Sequence, residues 1–127
     1  MKKERPAVPT ESDEQIALFR WAAYETGAHP ELGMMYHIPN ERKCSAQQGA
    51  RMKAEGRKSG VPDICLPVAR GGYHGLYIEL KRTKGGRVSD EQKGWLKALQ
   101  RCGYRAEVCL GWDAARTVIM DYLGGAK

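Results

Sequence analysis

The amino-acid sequence predicts an α/β domain in which a mixed sheet of four strands is flanked by helices, and three observations lead to this fold class. The chain has 127 residues, which is enough to bury one ordinary hydrophobic core. Short strand-like runs alternate with longer amphipathic segments in the order α, β, short α, β, β, α, β, α. Two of the runs are joined by a Gly-Gly turn and two by a helix, so antiparallel and parallel pairs are expected in one sheet.

The first predicted helix follows residues 1–9, which are charged and contain proline. We expect these residues to form a flexible arm ahead of a single domain over residues 10–127. Thr10 to Ser12 supply capping residues, and Ser12 with Gln15 fits the capping-box pattern. A helix of about 15 residues is expected to follow and to end near the first glycine of the chain. Its expected buried stripe consists of Ile16, Phe19 and Ala23, flanked by Leu18 and Ala22.

A short strand and a short helix are expected next. Residues 34–38 form an apolar run that stops at Pro39, which is typical of a strand. Ser45 begins a second capping-box pattern with Gln48, and the segment to Glu55 is compatible with a helix but has few apolar residues. We therefore predict a short helix that is mostly exposed.

The second and third strands are predicted to form an antiparallel pair. Residues 63–68 follow a Gly-Val-Pro sequence and favour a strand, and residues 70–73 favour a turn. Residues 76–81 give the strongest strand pattern in the chain. Because the connection between the two runs is short and contains Gly-Gly, the strands are expected to lie antiparallel.

A helix, a strand and a final helix complete the predicted domain. Ser89 and Gln92 form a third capping-box pattern, and residues 104–110 are the fourth predicted strand. The link from residues 76–81 to this strand is a β-α-β crossover, so these two strands are expected to be parallel. Asp113 is the expected cap of the last helix. The positions predicted to be buried are Trp95, Leu96, Leu99 and Cys102 in the helix that follows Ser89, and Ala115, Val118, Ile119, Tyr122 and Leu123 in the last helix.

Composition and charge indicate the class of protein and of partner. Lys and Arg number 21 against 15 Asp and Glu, so the formal net charge is +6 and a polyanionic partner is favoured. No apolar run reaches the roughly 20 residues of a membrane-spanning helix, and no signal-peptide pattern is present, so we expect a soluble protein. The four cysteines form no Cys-x-x-Cys pair, and a zinc or disulfide framework is not expected. Three of them, Cys65, Cys102 and Cys109, lie among apolar residues and suit a reducing interior.

Alternation along residues 76–81 brings acidic and basic side chains to one face of the sheet. Tyr77, Glu79 and Lys81 share this face, whereas the apolar residues between them share the other. Asp63 begins the preceding strand, and in an antiparallel pair the beginning of one strand meets the end of its neighbour. Two carboxylates then converge beside a lysine, and carboxylate oxygens are ligands that Mg²⁺ prefers. The sequence therefore predicts a metal-dependent site at this end of the sheet.

These residues resemble a nuclease signature, and the rest of the chain extends the resemblance. Pro62-Asp63 with Glu79-Leu80-Lys81 resembles the PD-(D/E)xK motif of nucleases. Nearly the whole chain is similar to the VRR-NUC family, the virus-type replication-repair nucleases, and this resemblance implies a restriction-endonuclease-like core. The matching segments are Glu14, the His-Ile-Pro-Asn-Glu run at 37–41, residues 60–63, residues 76–81, and Ser89 through Gln92 to Trp95-Leu96 ahead of Gly103.

The resemblance implies a role for each residue of the predicted site. The carboxylates of Asp63 and Glu79 and the carbonyl of Leu80 would bind the metal ion, which would be Mg²⁺ with Mn²⁺ able to substitute. Lys81 would position or activate the attacking water. Glu14 would reach the site from the first helix as a further ligand, directly or through water.

Three residues also have a structural explanation. Glu14 lies in the first turn of its helix, where an acid interacts favourably with the helix dipole. Gln92 is the third helical residue of a capping box, but it shares one helix side with Trp95 and Leu96 and can face the catalytic strand. Cap and site therefore stay equally open, and Gln92 is kept as a catalytic candidate. His37 is assigned to the core and left out of the site.

Basic residues cluster on both sides of the predicted site in the sequence. Residues 42–58 hold six basic residues against one acid, and residues 81–87 hold four with no acid. We expect both clusters to contact the phosphate backbone of DNA. The predicted DNA-binding residues are Arg42, Lys43, Arg51, Lys53, Arg57, Lys58, Arg82, Lys84 and Arg87.

Together these features predict a metal-dependent, structure-selective DNA endonuclease that acts at four-way (Holliday) junctions or other branched DNA. One site cuts one strand, so a homodimer is expected on a two-fold substrate. We place this activity in DNA repair in the cytoplasm of a bacterial or phage-infected cell. A non-cleaving DNA-binding module of the same fold and an RNA-acting or exonucleolytic relative are the alternatives that the residues leave open.

Overall fold

The computed structural model describes residues 7–39 and 45–124. It contains four α-helices, four strands and one short 3-10 helix within these ranges. In chain order they are α1 (Glu11–Glu25), the 3-10 helix (Pro30–Met34), β1 (Tyr36–His37), α2 (Ala46–Ala54), β2 (Ile64–Leu66), β3 (Leu76–Lys81), α3 (Asp90–Arg101), β4 (Arg105–Leu110) and α4 (Trp112–Tyr122).

The described strands form one sheet in the order β1-β2-β3-β4. β1 pairs antiparallel with β2, and β2 pairs antiparallel with β3 in a register that sets Ile64 opposite Ile78. β3 and β4 are parallel, with Glu79 opposite Val108, because α3 crosses over between them. The predicted fold class, an α/β domain with a mixed sheet flanked by helices, is therefore confirmed, and it is consistent with a restriction-endonuclease-like core.

The hydrophobic core lies between one face of the sheet and the helices α1 and α4. Leu76, Ile78 and Leu80 are each 1% exposed on this face of β3. Leu18 of α1 and Ile119 of α4 are fully buried in the same apolar cluster. Burying one such side chain stabilises the fold by about 1.5–3 kcal/mol relative to leaving it exposed. The apolar face of β3 thus anchors the strand whose other face carries Glu79.

The N-cap of α1 lies two residues before Ser12, the residue predicted to begin a capping box. Thr10 is the N-cap, and its hydroxyl accepts a hydrogen bond from the backbone N–H of Asp13 at 3.0 Å. The Asp13 carboxylate in turn accepts the N–H of Thr10 at 3.1 Å. Thr10 is among the predicted capping residues, but the predicted box of Ser12 with Gln15 is wrong because Thr10 and Asp13 form an equivalent box two residues earlier.

The buried side of α1 is rotated relative to the predicted stripe. Glu14, Leu18 and Ala22 are buried, at i, i+4 and i+8. Ile16, which was predicted to be buried, is 52% exposed, and Ala23 is exposed as well. The stripe was misplaced because it was drawn from apolar residues alone, whereas this helix also buries Glu14.

The chain before β1 differs from the predicted strand. Pro30 begins a 3-10 helix, which ends at Met34 and leaves only two residues in β1. Proline at the start of a helical turn removes a donor that would have no partner there. Leu32 and Met35 are buried, whereas Met34 is 56% exposed.

The predicted capping boxes of α2 and α3 are confirmed. α4 has no side-chain cap: its N-cap is Gly111, and Asp113 instead accepts hydrogen bonds from Arg116. The prediction of Asp113 as a cap is therefore wrong.

Cys102 is exposed at the end of α3 rather than buried, because it occupies the C-cap, whereas Cys65 is buried as predicted.

No helix in the described part of the chain is long and apolar enough to cross a membrane. Several sequence predictions fall on residues 1–6 and 40–44, which lie outside the described residues. These are most of the predicted N-terminal arm, the Asn40-Glu41 part of the family resemblance, and the basic residues Arg42 and Lys43. The division into an arm over residues 1–9 and a single domain over 10–127 stays a prediction.

Candidate active site

Asp63 lies next to the end of β3, where the sequence predicted it. It directly precedes β2, whose first residue, Ile64, pairs with Ile78, so Asp63 lies level with Glu79. One carboxylate oxygen of Asp63, Oδ2, accepts the backbone N–H of Leu80 at 2.9 Å. This bond ties the Asp63 side chain to the strand that carries the second carboxylate.

Glu79 is a buried carboxylate, 1% exposed. Its Oε2 accepts a hydrogen bond from Nε2 of Gln92 at 3.1 Å and lies 3.5 Å from Nζ of Lys81. Its Oε1 is buried and has no hydrogen-bond partner among the described residues. Burial, reinforced by the negative charge of Asp63 and opposed by Lys81, raises the pKa of Glu79 to about 8.

Lys81 is held beside Glu79 at the end of β3 and is 6% exposed. Its backbone carbonyl accepts the N–H of Gly111 at 2.8 Å, which fixes the strand end to the start of α4. The stem of Lys81 packs close to Gly86, where a Cβ would lie 3.1 Å from the Lys81 Cβ. A buried ammonium next to a carboxylate can offset negative charge on a bound anion.

Gln92 makes both contacts that the sequence left open as alternatives. Its side-chain carbonyl accepts the N–H of Ser89 at 2.8 Å and so closes the capping box of α3. The amide nitrogen then faces Glu79 and donates to it. The capping bond therefore settles which way the amide is turned, since a flipped amide would present two donors to the N–H of Ser89.

A contact between α3 and the segment that leads into β2 sets the position of Gln92. The indole N–H of Trp95 donates to the carbonyl of Ser59 at 3.1 Å. Gly60 has φ +89°, and a Cβ at this position would lie 2.9 Å from the carbonyl carbon of Glu91. Glycine is thus needed here both for its backbone conformation and for the close approach of the two segments.

The candidate catalytic residues line a cleft of about 650 Å³. Its wall is formed by the ends of β1 and β3, the residue before β2, and the starts of α1 and α3. The lining residues are Glu11, Ser12, Gln15, His37, Pro39, Asp63, Glu79, Leu80, Lys81 and Gln92. Sequence reasoning missed the α1 residues and His37, and it predicted the remaining polar ones.

Glu14 is not among the side chains that line this cleft. Its Oε1 accepts the backbone N–H of Trp112 at 2.9 Å, at the beginning of α4, and the residue is 5% exposed. A carboxylate at this point satisfies an N–H that has no partner within the helix and interacts favourably with the helix dipole. The structure therefore places Glu14 in a structural contact, and Glu11 is the acidic residue of α1 that lines the cleft. A metal-binding role for Glu14 stays a prediction.

His37 lies in the cleft rather than in the core, and its assignment to the core is wrong. It is the last residue of β1, an edge strand, and is exposed. The argument that paired Asp63 with Glu79 would also have found it. In an antiparallel pair, the end of β1 must meet the beginning of β2.

The donor set fits a hard divalent cation such as Mg²⁺. Asp63 and Glu79 supply carboxylate oxygens, the carbonyl of Leu80 directly follows Glu79 in the sequence, and Oε1 of Glu79 lacks a partner in the described chain. Within the described residues there is no group of three His, Cys, Asp or Glu side chains that could hold a metal ion. Mg²⁺ is commonly bound by one or two carboxylates and keeps several waters, so two carboxylates suffice.

The predicted DNA-binding residues lie outside the cleft wall, which includes none of the described ones. Arg51, Lys53, Lys58, Lys84 and Arg87 are exposed. Arg57 is half-buried and donates to the sulfur of Met52 at 2.9 Å, and Nε of Arg82 is buried without a hydrogen-bond partner in the described chain.

Comparisons with known proteins agree with the sequence resemblance. The sequence model of the VRR-NUC domain family matches residues 10–113. A solved structure named "VRR_NUC domain protein" superposes with a TM-score of 0.81 at 30% identity, and the match covers 94% of this chain and 92% of that chain. No curated protein matches the chain.

Proposed function

Because the chain belongs to the VRR-NUC domain family, nucleases of the PD-(D/E)xK superfamily, we propose that it is a Mg²⁺-dependent endonuclease acting on branched DNA. The observation that carries this proposal is the buried Glu79 carboxylate, which shares its cleft with Asp63 and Lys81. Its Oε1 has no partner in the described chain. A buried acceptor without a partner is unfavourable, so a ligand that supplies a partner at this atom is favoured.

Asp63, Glu79 and the carbonyl of Leu80 are the groups that would hold the cation. When bound, the cation would lower the pKa of a water molecule and polarise the scissile phosphate. Asp63 is prepared for this role because the N–H of Leu80 fixes its carboxylate. Gln92 prepares Glu79 in the same way, since it donates to Oε2 while Oε1 has no hydrogen-bond partner among the described residues.

Lys81 is proposed to act on the phosphate rather than on the cation. Its ammonium lies 3.5 Å from Oε2 of Glu79 and lines the cleft. Negative charge on a phosphodiester grows on the way to the transition state of hydrolysis, and a fixed cation at that point lowers the barrier. The residue would also orient the attacking water through its remaining N–H donors.

The exposed basic residues on α2, on the loop that follows it and on the loop after β3 are proposed to bind the DNA backbone. They provide positive charge for contacts with phosphates, and such contacts position DNA without reading its base sequence. Selectivity for DNA geometry follows, and a four-way junction presents phosphates in a geometry that linear duplex lacks. Symmetric cleavage of two strands by single-site chains requires a homodimer on the junction.

The test is cleavage of labelled substrates by the purified protein in Mg²⁺, Mn²⁺ or EDTA. Linear duplex, flap, four-way junction and single-stranded RNA are compared, and each strand carries its label at either end. Asp63→Asn serves as the inactive control because the amide oxygen can still accept the N–H of Leu80. Asp121→Asn, at an exposed carboxylate of α4, serves as the matched active control.

The expected result is internal cleavage of the junction in Mg²⁺ or Mn²⁺, none in EDTA, and weaker cleavage of linear duplex. Cleavage in EDTA would exclude the metal mechanism. Products shortened only from an end would indicate an exonuclease, and cleavage confined to RNA would change the substrate class. Binding of DNA without cleavage of any substrate would indicate a non-cleaving module.

A further inference from the structure

Two hydrogen bonds converge on the backbone carbonyl of Asp63. The backbone N–H of Ile38 donates to it at 2.6 Å, and Nδ1 of His37 lies 2.9 Å from it. The first bond continues the ladder between β1 and β2 one step beyond the last strand pair, His37 with Ile64. The second is a side-chain bond added at the place where the ladder ends.

The partner of Nδ1 determines which ring nitrogen of His37 carries hydrogen. A carbonyl oxygen only accepts, so Nδ1 must carry the hydrogen and donate it. His37, on the edge strand, is thus the donor of this bond, and the backbone carbonyl of Asp63, a candidate metal ligand, is the acceptor. β1 has two residues, both exposed, and so few backbone bonds of its own hold this edge.

Asp63 is therefore held at two points that belong to different strands. Its carbonyl is held by His37 and Ile38 of the β1 edge, and its Oδ2 is held by the N–H of Leu80 at 2.9 Å. Loss of the His37 bond leaves the Asp63 carbonyl held from this edge by the Ile38 N–H alone, where the ladder between β1 and β2 ends. Hydrogen bonds that orient a metal ligand commonly contribute about 10–100-fold to metal affinity.

We infer that His37 is a positioning residue that holds the backbone of Asp63 so that its carboxylate and that of Glu79 can bind one divalent cation. This inference rests on the proposed function, because it assigns His37 to the metal site of that function. It gives His37 no contact with the cation or the reacting phosphate. Its acting atom is Nδ1, and its effect reaches the site through the carbonyl of Asp63.

The experiment compares two isosteric replacements of His37 with its removal. Asn places an amide nitrogen where Nδ1 stands, and Gln places one where Nε2 stands. His37→Ala, His37→Asn and His37→Gln are titrated with Mn²⁺ in the absence of DNA by calorimetry. Exchange of the Leu80 amide hydrogen is measured by NMR in EDTA, and His29→Ala, at a histidine paired with Glu25, is the control.

We expect His37→Ala to weaken Mn²⁺ binding by about 10–100-fold and to speed exchange of the Leu80 amide. His37→Asn should restore both properties, while His37→Gln should not. The Asn variant also keeps the inference testable if the alanine variant folds poorly. His29→Ala should match the unaltered protein in both measurements.

Equal Mn²⁺ affinity in His37→Ala and the unaltered protein would overturn this inference and leave the proposed function intact. Restoration by Gln instead of Asn would also overturn it, because Nε2 would then be the acting atom. Faster exchange of the Leu80 amide with unchanged Mn²⁺ affinity would limit His37 to stabilising the edge strand and so overturn the positioning role. If the unaltered protein bound no Mn²⁺, the proposed function and this inference would fall together.

Discussion

The side-chain amide of Gln92 donates a hydrogen bond to Oε2 of Glu79 across 3.1 Å while its carbonyl accepts the N–H of Ser89 at 2.8 Å. One side chain thus closes the first turn of α3 and contacts a carboxylate of the candidate active site. A capping residue is held in place by the helix it caps, so the orientation of Glu79 is linked to the folding of that first turn. The contribution of Gln92 to cleavage is a prediction that follows from this contact.

Gln92→Glu should preserve the fold and reduce cleavage. A glutamate can still accept the N–H of Ser89, but it replaces the donor to Glu79 with a second carboxylate, so we expect cleavage to fall by about 10–100-fold. Thermal unfolding and single-turnover cleavage of the junction are the measurements. Gln48→Glu makes the same change in the capping box of α2, away from the cleft, and is the matched control. Unreduced cleavage in Gln92→Glu would remove Gln92 from the site.

Asp63→Asn should abolish cleavage but leave DNA affinity almost unchanged. The amide retains an acceptor for the N–H of Leu80 and loses the negative charge that a divalent cation needs, so we expect cleavage to fall by at least about 10²-fold. Fluorescence anisotropy in EDTA gives the DNA affinity, and calorimetry gives the Mn²⁺ affinity. The assignment of Asp63 as a metal ligand would be contradicted by Mn²⁺ affinity equal to that of the unaltered protein.

Lys81→Met should slow cleavage by about 10²-fold or more while Mn²⁺ still binds. Methionine keeps most of the buried stem and removes the ammonium, which is the group proposed to offset charge in the transition state. Single-turnover rates at saturating DNA separate this effect from weaker binding. Lys97→Met, at an exposed position of α3 outside both basic clusters, is the control. Unchanged rates with weaker DNA binding would make Lys81 a phosphate-binding residue only.

Glu79→Gln should stabilise the metal-free protein at alkaline pH. Because the pKa of Glu79 is raised from 4.5 to about 8, the native state keeps a proton between these values that the unfolded chain has released. The free energy of unfolding then falls as pH rises through this window. A neutral amide at this position does not titrate, so the variant does not lose this part of the free energy of unfolding. In EDTA, the melting temperature of Glu79→Gln minus that of the unaltered protein should be larger at pH 9 than at pH 5. An equal difference at both pH values would contradict the raised pKa.

DNA affinity should fall steeply with salt, and part of that dependence should come from Lys53 and Lys58. Each phosphate contact releases counterions, so neutralising both lysines should lower the slope of log affinity against log salt by up to about 2. Lys97→Gln with Arg101→Gln, on α3 and outside both basic clusters, is the control pair. A slope that the Lys53 and Lys58 changes do not alter would place these lysines away from DNA.

The end of β3 was predictable because alternation along a strand and pairing between strands are local rules. They place Asp63, Glu79 and Lys81 together at one end of the sheet from sequence order alone, and the structure brings these residues into one cleft. The same rules applied to β1 would have placed His37 there too. It was missed because a histidine in an apolar run was assigned to the core.

The position of Glu14 was beyond such rules. The burial of a carboxylate depends on a partner far away in the sequence, and here that partner is the N–H of Trp112. A helix start with no side-chain cap of its own needs an acceptor from elsewhere, and sequence order alone does not show which side chain supplies it. For the same reason the buried side of α1 was predicted one residue out of place.

Gly60 carries no reacting atom, yet its closeness to Glu91 gives it the mutational behaviour of a catalytic residue. With φ +89° and a Cβ that would lie 2.9 Å from the Glu91 backbone, almost any substitution would push α3 away from the strand that follows Asp63. In a library of single substitutions selected for cleavage, this position should tolerate as little variation as Glu79. A glycine that lets α3 pack closely can thus be as intolerant of replacement as Glu79, the acid that Gln92 of α3 contacts.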